Sequence, residues 1–361
     1  MATFTVQVVP VTIEPHDNAD ALEVARIGGY FSVVGKGAYR TGDLVAYIPE
    51  QSIVPDPILA ELGLTGRLAG SKANRVKAIR LRGMLSQGIC YPARPGWIAG
   101  QDVTEALGIV KYEPPVPVSM SGQVYGAGHD RTLRYDIENI KRYPATLAAG
   151  ERVVFTEKIH GTWAQLGLVS PQRAHPEHGR LVVASKGFAG RGLAFVPNAP
   201  ENDSNLYLRV ARHLDIAARI ERVFSTTGAS VFVLGEVFGR GVQDLAYGAS
   251  AASDAALGFR VFDVYVGDPG IGKYLDDASL SAAVAEMGLS RVPVVYRGPL
   301  SAEVLMEHTS GRESVSGQGT HIREGVVVRP CVERRDPRLG RVQLKSINPK
   351  YLTRKGGTEF S

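Results

Sequence analysis

The sequence predicts an α+β protein in two parts, a smaller one of mostly β structure and a larger one that mixes strands with helices. Short apolar runs separated by turn residues fill about the first 110 residues. Strands and helices then alternate without a regular βαβ repeat. Between the two parts, residues 111–129 are rich in Pro, Gly and Ser, which is typical of a linker. We therefore predict a domain over 1–112, a linker over 113–130 and a second domain over 131–361.

The first part reads as a small barrel or sandwich. Its apolar or alternating runs are bounded by Asp/Asn clusters and glycines, the usual signals for turns between strands. The predicted strands cover 3–13, 21–27, 30–34 and 44–48.

The second part contains β-rich runs and amphipathic helices. Apolar residues recur at helical spacing from Leu206 to Ile220, with Ser204 as a candidate N-cap, and a second helix over 280–287 should stop at Gly288. The predicted strands cover 153–155, 163–168, 181–185, 231–237, 259–266, 292–296, 325–329 and 342–345.

Composition excludes several classes of protein. Cys90 and Cys331 are the only cysteines, too few for a disulfide framework or a structural zinc site. There is no long apolar run and no secretory signal at the N-terminus, so we expect a cytoplasmic protein without a membrane partner.

Positive charge is clustered within a net charge of +5. Residues 65–83 hold six Lys or Arg and no acid, and residues 323–355 hold ten Lys or Arg against three acids. Clustered cations favour a phosphate-rich partner such as nucleic acid. A solvated basic face is the alternative for either run.

The strongest local pattern surrounds Lys158. This lysine lies between a predicted strand and Gly161, with Glu157 before it and His160 two residues after it. A lysine is a nucleophile only when neutral, and we expect nearby cations and partial desolvation to lower its pKa. Alone the pattern is weak, because a lysine near a glycine is usually an ordinary surface loop.

Four further residues on or beside predicted strands suit chemistry, and each has an ordinary alternative. Glu236 ends an apolar strand, where a buried charge needs a partner. Phe262 offers a ring that stacks on a base, or else belongs to the core. Glu324 suits a divalent metal or a surface ion pair. Lys345 suits a phosphate or is simply solvated.

Together and in this order, these patterns resemble the covalent nucleotidyltransferase superfamily of ligases and capping enzymes. Lys-x-His-Gly at 158–161 is similar to motif I of RNA ligase 2-like enzymes, and the approach over 135–144 also looks like an RNA ligase. The chain as a whole resembles the Deinococcus-type RNA ligase family. The remaining motifs are Ia (184–187), III (235–236), IIIa (262–264), IV (324–328) and V (344–345).

The resemblance implies an N-terminal OB-type β-barrel followed by a nucleotidyltransferase domain of antiparallel sheets with flanking helices. Two positions depart from the family pattern. Lys186 stands where motif Ia commonly has arginine, and Ile347 stands where motif V often has a second lysine. The phosphate contacts of these two motifs are therefore the least well defined by sequence, and Lys350 is a candidate to compensate.

The activity implied is that of an ATP-dependent RNA ligase that works through lysyl-AMP and an adenylylated 5′-phosphate. His160 would act near the phosphates, and a structural turn histidine is the alternative. The catalytic residues implied are Lys158, His160, Glu236, Glu324 and Lys345, with Mg²⁺ or Mn²⁺ at Glu324 and Glu236. The residues implied for ATP or AMP are Glu157, Lys158, Ile159, Gly161, Lys186, Glu236, Phe262, Val326 and Lys345.

The first domain carries the predicted RNA contacts. Residues 14–22 and 82–88 look like the tRNA-binding class of OB fold, which holds nucleic acid in a charged groove. The partner implied is RNA, or an RNA/DNA duplex, with 3′-OH and 5′-phosphate ends, as in nick repair. The residues predicted to bind it are Lys72, Arg75, Lys77, Arg80, Arg82 and Lys350.

Three other functions share parts of this pattern. A non-catalytic OB-fold RNA-binding protein would not need Lys158, Glu236 and Glu324 together. DNA ligases and capping enzymes share the core motifs but usually carry an OB domain after motif V, whereas this sequence ends soon after Lys345. A Rossmann enzyme is rejected because the glycines at 187–192 are spaced GxxGxG and not GxGxxG.

Overall fold

The computed structural model describes residues 4–354 and 356–357, so Lys355 of the second basic run lies outside the described residues. The chain folds as two compact units. The N-terminal unit takes the chain up to Glu113 together with Glu138–Pro144, and the C-terminal unit takes Pro114–Ile137 and the chain from Ala145 onward. No helix in the described ranges is long and apolar enough to span a membrane.

Strands dominate the described structure, and the helices are short. The strands of the first 144 residues are β1 (Gln7–Pro10), β2 (Thr12–Pro15), β3 (Leu22–Ile27), β4 (Tyr30–Gly35), β5 (Leu44–Ile48), β6 (Ser52–Ile53), β7 (Ile79–Leu81), β8 (Met84–Ser86), β9 (Ile89–Pro92), β10 (Val110–Lys111), β11 (Val124–Gly126) and β12 (Glu138–Asn139). The later strands are β13 (Arg152–Lys158), β14 (Thr162–Leu168), β15 (Leu181–Ser185), β16 (Leu193–Phe195), β17 (Val231–Phe238), β18 (Gly258–Val266), β19 (Lys273–Tyr274), β20 (Val294–Pro299), β21 (Gly325–Pro330), β22 (Arg335–Asp336), β23 (Gly340–Arg341) and β24 (Leu344–Ile347). The α-helices are α1 (Asp56–Glu61), α2 (Lys186–Ala189), α3 (Leu206–His213), α4 (Ile216–Phe224), α5 (Asp277–Glu286), α6 (Ala302–Thr309) and α7 (Pro349–Leu352).

The N-terminal unit is mostly β, as predicted. Antiparallel strands form the sheets β1-β5-β9 and β2-β3-β4, and β5 is buried on both faces. Ala46 and Ile48 of β5 pack in one core cluster, while Val45 and Tyr47 pack in another. The strands in the described part of this unit do not close into one barrel, because they are two to six residues long and are divided among separate sheets. The predicted β-rich domain is present, with its strands in separate sheets rather than in one closed barrel.

In the C-terminal unit, one sheet has the order β15-β14-β17-β18-β19; we call it the Glu236 sheet. Alternate residues of β14 face opposite sides, so Ala164 and Leu166 pack under α3, α4 and α5 while Trp163 packs in the cluster on the other face. Both faces are covered, which explains why β14 is buried along its whole length.

The strands β24-β21-β13-β20 form a second antiparallel group, which we call the Lys158 sheet. β13 lies inside it, between β20 and β21. The next strand, β14, belongs to the Glu236 sheet. The turn 159–161 therefore carries the chain from one sheet to the other, and the lysine of motif I sits at that crossing.

Residues 113–130, expected as a linker, are partly packed structure. Met120 is buried in the main core cluster of the C-terminal unit, and β11 pairs with β16. Asn202 explains the packing, because its side chain bonds the backbone N–H and C=O of Gln123 at 2.8 Å each. Proline and glycine content indicated a linker here because irregular backbone and flexible backbone share a composition.

The predicted helix from Leu206 to Ile220 is divided into α3 and α4. Asp215 adopts a left-handed conformation, with φ of 45°, and separates the two helices. The N-cap is Asn205 rather than the predicted Ser204, because the Asn205 side chain accepts from the N–H groups of Tyr207 and Leu208. The helix predicted over 280–287 is confirmed as α5, followed by Gly288 with φ of 64°.

Candidate active site

Lys158 ends β13 in front of two glutamates. Its Nζ lies 2.7 Å from Oε1 of Glu324, and its side chain keeps 27% of its surface exposed. The pairing of Lys158 with Gly325 in the sheet explains this contact, because it sets Glu324 directly beside the lysine. Two motifs 166 residues apart in the sequence, I and IV, thus meet at one point.

The charge environment of Lys158 differs from the expectation. Burial disfavours the ammonium form, but the carboxylates of Glu324 and Glu236 outweigh burial and hold the pKa of Lys158 above its usual value. Sequence reasoning had placed cations around this lysine and a lowered pKa; the structure places carboxylates there instead. Lys158 is therefore an ammonium group in this state.

Glu236 lies on β17, opposite Trp163 of β14. Its Oε1 accepts a hydrogen bond of 3.1 Å from the N–H of Gly161. Burial raises the pKa of Glu236 to about 8, and the nearby Glu324 adds to the rise while Lys158 opposes it. A buried carboxyl with a raised pKa takes up a proton readily, and a cation bound beside it would favour the ionised form instead.

Gly161 is required by close packing. A Cβ at this position would lie 2.2 Å from the carbonyl oxygen of Val237 and 2.9 Å from Cγ of Glu236. A Cβ atom essentially never comes this close to an atom to which it is not bonded. Glycine at this position therefore allows the motif I turn to approach β17.

The two glutamates also suit a divalent metal. Oε2 of Glu324 is buried and has no hydrogen-bond partner, which leaves a lone-pair donor directed into the site. Carboxylate oxygens are the ligands that Mg²⁺ and Mn²⁺ prefer. Among the described residues no cluster of three or more His, Cys, Asp or Glu has metal-binding geometry, so the fit rests on this pair.

Glu157 is buried beside the loop that precedes β21. Its Oε2 accepts hydrogen bonds from the N–H and the hydroxyl of Ser314, and Arg323 lies 3.5 Å away. Burial raises the pKa of Glu157. Its other oxygen, Oε1, is buried without a partner and is therefore an acceptor open to a ligand donor.

The loop at 311–322 was not predicted as part of the site. Glu313 organises it by accepting hydrogen bonds from the backbone N–H groups of Ser316 and Thr320, each at 2.9 Å. Burial disfavours the ionised form, but these bonds outweigh it and lower the pKa of Glu313 to about 2. The only sequence signal is the Ser-x-Ser-Gly-x-Gly-Thr composition, which is common to many loops.

His160 is buried and both of its ring nitrogens are engaged. Nε2 lies 2.8 Å from Oδ1 of Asp244, and Nδ1 lies 2.8 Å from the hydroxyl of Tyr351. The backbone N–H of His160 donates to the hydroxyl of Tyr247 at 2.8 Å. Asp244, Tyr247 and Tyr351 were missed by sequence reasoning, because nothing in their local context marks them.

Phe262 is displayed by a β-bulge. Gly235 pairs with Val261 and Leu234 pairs with Asp263, so Phe262 has no residue opposite it. Bulges commonly redirect a side chain near a functional site. The Phe262 ring is half-buried and lies 5.3 Å from the ring of Tyr135, centre to centre.

The other predicted nucleotide residues lie on the Lys158 sheet, in the turn 159–161 and at the start of α2. Ile159 and Val326 are buried, and Val326 pairs with Glu157. Lys345 pairs with Val327, which pairs with Thr156, and strand alternation puts Lys345 on the same face as Lys158. Lys186 begins α2 and lies 3.3 Å from Oδ1 of Asp136.

The predicted RNA-binding residues lie mainly in the N-terminal unit. Lys72, Arg80 and Arg82 are exposed. Lys77 is half-buried, and so is Arg75, whose guanidinium stacks over the ring of Tyr112 at 4.1 Å. Lys350 is exposed on α7 of the C-terminal unit.

A second buried charge cluster of the C-terminal unit surrounds Asp263. One oxygen of this fully buried carboxylate faces Arg329 at 3.3 Å, and the other accepts from Tyr135 at 2.9 Å and from Arg341. Asp263 lies on β18, and its partners come from β21, β23 and the segment before residue 137. The cluster therefore fastens the Glu236 sheet to the segments around the Lys158 sheet.

Comparison with known proteins agrees with this geometry. The sequence profile of the RNA ligase family matches residues 151–347, which is more than half of the chain. The chain belongs to the RNA ligase family. A profile of an OB-fold domain matches residues 4–93. The predicted architecture of an OB-fold domain followed by a ligase nucleotidyltransferase domain is confirmed, and so is the prediction of an RNA ligase enzyme.

Solved structures of Naegleria gruberi RNA ligase share the fold at 21% sequence identity. A mutant in the apo state has a TM-score of 0.77 and is matched over 98% of both chains. The ligase with PPi has a TM-score of 0.78, over 97% of this chain and 98% of that one. A mutant with ATP and Mn has a TM-score of 0.75, over 96% and 97%. No curated protein sequence matches this chain.

Proposed function

We propose that this RNA ligase family member uses ATP to join 3′-OH and 5′-phosphate RNA ends, with Lys158 as the residue that carries AMP. One observation carries the proposal: Lys158, which lies within the region matched by the RNA ligase profile, is 2.7 Å from Glu324 and interacts electrostatically with Glu236. The Naegleria RNA ligase structures with ATP, AMP, Mn or PPi support the choice of nucleotide and metal.

The first step is nucleophilic attack by Lys158 on the α-phosphate of ATP. A P–N bond forms, the P–O bond to the β-phosphate breaks, and pyrophosphate leaves. The ammonium must first give up a proton, and Glu324 is the acceptor in place at 2.7 Å. A lysine held on a strand end between two carboxylates has the fixed position that in-line attack requires.

In the next steps, AMP moves from Lys158 to a 5′-phosphate, and the 3′-hydroxyl of the adjoining end then displaces AMP. Lys345 and Lys186 suit the neutralisation of phosphate charge, because both are on the elements that frame Lys158. Pyrophosphate and AMP are good leaving groups, which is why activation comes before joining.

Glu324 and Glu236 would hold Mg²⁺ or Mn²⁺. The metal would supply charge neutralisation at the phosphates. The unpaired Oε2 of Glu324 and the raised pKa of Glu236 both support this assignment.

The adenine would lie beside Glu157 and Phe262. The unpaired Oε1 of Glu157 supports an acceptor role toward an N–H of the base, and the bulge at Phe262 supports stacking. Ile159, Gly161 and Val326 would line the pocket.

The RNA substrate would contact the basic residues of the OB-fold domain and Lys350. We propose a duplex with a nick, with RNA on at least one side of it, and a Deinococcus-type RNA ligase as the narrower identity. The exposed side chains of Lys72, Arg80 and Arg82 support phosphate binding in the first domain.

The experiment is covalent labelling with ATP that carries ³²P at the α-phosphate. Wild type, Lys158→Ala and Lys158→Arg are incubated with Mg²⁺ or Mn²⁺, stripped of bound nucleotide and run on a denaturing gel beside a GTP control. Arginine preserves the ion pair with Glu324 but is not a nucleophile. We expect label on wild type only and from ATP only.

Label on Lys158→Arg would contradict the assignment of Lys158. No label on wild type would contradict the ligase proposal and leave a non-catalytic RNA-binding protein built on the OB fold. Label from GTP in preference to ATP would favour a capping-type enzyme.

A further inference from the structure

Both ring nitrogens of the motif I histidine are engaged by protein groups. A carboxylate only accepts hydrogen bonds, so Nε2 of His160 carries the proton that faces Asp244 at 2.8 Å. Nδ1 lies 2.8 Å from the hydroxyl of Tyr351. Neither nitrogen is therefore free to bond a phosphate.

The partners of His160 are themselves held together. Arg354 lies 3.2 Å from each oxygen of Asp244, and its guanidinium stacks on the ring of Tyr351 at 3.7 Å. Only 15% of the Arg354 side chain is exposed. The ring, the carboxylate and the guanidinium therefore form a closed clamp around one side of His160.

The same C-terminal segment also contacts Glu324, the residue that faces Lys158. Asn348, the N-cap of α7, donates from its backbone N–H to the carbonyl of Glu324 at 2.9 Å. Its side chain donates to the carbonyl of Arg323 at 3.0 Å. A short segment from Asn348 to Arg354 thus holds Glu324 at one end and His160 at the other.

We propose that Asp244, Tyr351 and Arg354 are positioning residues for adenylylation, acting through His160. They hold the turn 159–161 so that Nζ of Lys158 stays in line with the nucleotide, and His160 is the held element rather than a proton carrier. A shift of about 1 Å in a reacting group costs on the order of 100-fold in rate. The inference rests on the proposed function of Lys158.

The test compares Tyr351→Phe with Tyr296→Phe. Both changes remove one phenolic hydroxyl, but that of Tyr296 donates only to the carbonyl of Pro299, away from Lys158. For each variant we would measure the rate of lysyl-AMP formation against ATP concentration, and the melting temperature. We expect Tyr351→Phe to lower kcat for lysyl-AMP by at least about 10-fold while KM for ATP stays within about 3-fold. Tyr296→Phe should match wild type.

Asp244→Asn provides a second measurement that does not depend on Tyr351. Its amide can still accept from Nε2 but loses the charge that holds Arg354, so we expect a smaller fall in kcat. Because both changes act through the His160 ring, the double variant Asp244→Asn, Tyr351→Phe should lose less than the product of the single losses.

Wild-type rates in both Tyr351→Phe and Asp244→Asn would overturn the inference while leaving Lys158 in its role. A loss in Tyr351→Phe that is matched by a fall in melting temperature, with independent effects in the double variant, would also overturn it. No lysyl-AMP on wild type would instead contradict the proposed function itself.

Discussion

Two buried carboxylate centres of the C-terminal unit differ in how fully they are paired. At Asp263 both oxygens have partners, supplied by Arg329, Arg341 and Tyr135. At the Lys158 centre, Oε2 of Glu324 and Oε1 of Glu157 are buried with no partner at all.

This difference indicates that the Asp263 centre stabilises the fold and that the Lys158 centre binds a ligand. A buried carboxylate whose two oxygens are both paired adds rigidity and has no acceptor left for a substrate, whereas an unpaired buried oxygen costs roughly 1–3 kcal/mol unless something binds it. Both centres are rich in charged residues. They differ in whether each buried carboxylate oxygen has a hydrogen-bond partner.

The largest effect on stability is expected from breaking the paired centre. Asp263→Asn removes the buried charge that Arg329 and Arg341 share and leaves Glu333 as an ionic partner of both, and we expect it to lower the free energy of unfolding by about 3 kcal/mol. Urea denaturation measures this. Asp17→Asn, in an exposed turn of the N-terminal unit, is the control and should change stability by less than about 0.5 kcal/mol. A mild Asp263→Asn variant would show that the network is dispensable.

The same chemical change at the unpaired centre should affect activity and spare the fold. Glu324→Gln removes a proton acceptor from Lys158 and a metal ligand, and we expect lysyl-AMP formation to fall roughly 100-fold with little change in urea midpoint. Quantitative ³²P labelling gives the rate. A fall in the urea midpoint as large as that of Asp263→Asn would instead make Glu324 a structural residue.

Gly161→Ala tests the close approach between the motif I turn and β17. The new Cβ must displace the carbonyl of Val237, and we expect a cost of about 1–3 kcal/mol together with reduced labelling. Gly187→Ala is the matched control, because no atom lies within 4 Å of its Cβ. Wild-type stability and labelling in Gly161→Ala would show that the turn can shift to accommodate a Cβ.

The smallest effect concerns the loop that Glu313 organises. The pKa of Glu313 is lowered to about 2 from an ordinary value of 4.5, so the ionised form stabilises the loop above pH 4.5. That stability falls as the pH drops from about 4.5 to about 2. As the pH falls through this range, the loop over residues 311–322 should open more often in wild type, and amide hydrogen exchange measures this opening. The increase should be smaller in Glu313→Gln. Identical pH profiles in the two proteins would remove Glu313 from that role.

The sequence could predict the identity of the site better than its geometry. Motif order along the chain identified Lys158, Glu236 and Glu324 because covalent nucleotidyl transfer needs these residue types, and the structure brings them together. The pKa direction of Lys158 was predicted wrongly, because it depends on which charges the sheets bring near, and sequence distance does not show that. Tyr351 and Asp244 carry no local signal; only tertiary contact with His160 identifies them.

The fold was predictable in type and less so in detail. Alternation and turn residues indicated the strands, but short strands distributed over separate sheets did not close the expected barrel. The break at Asp215 and the N-cap at Asn205 depend on single side-chain bonds and one left-handed residue, which helical periodicity does not detect.

The most direct measurement is Mn²⁺ binding followed by electron paramagnetic resonance, without nucleotide, in Lys158→Ala and in Lys158→Ala, Glu324→Gln. Removing the ammonium frees both glutamates, so the single variant should bind Mn²⁺ more tightly than wild type. The double variant should lose at least about 10-fold of that affinity. Equal binding by both variants would contradict the claim that the unpaired oxygens beside Lys158 form a cation site.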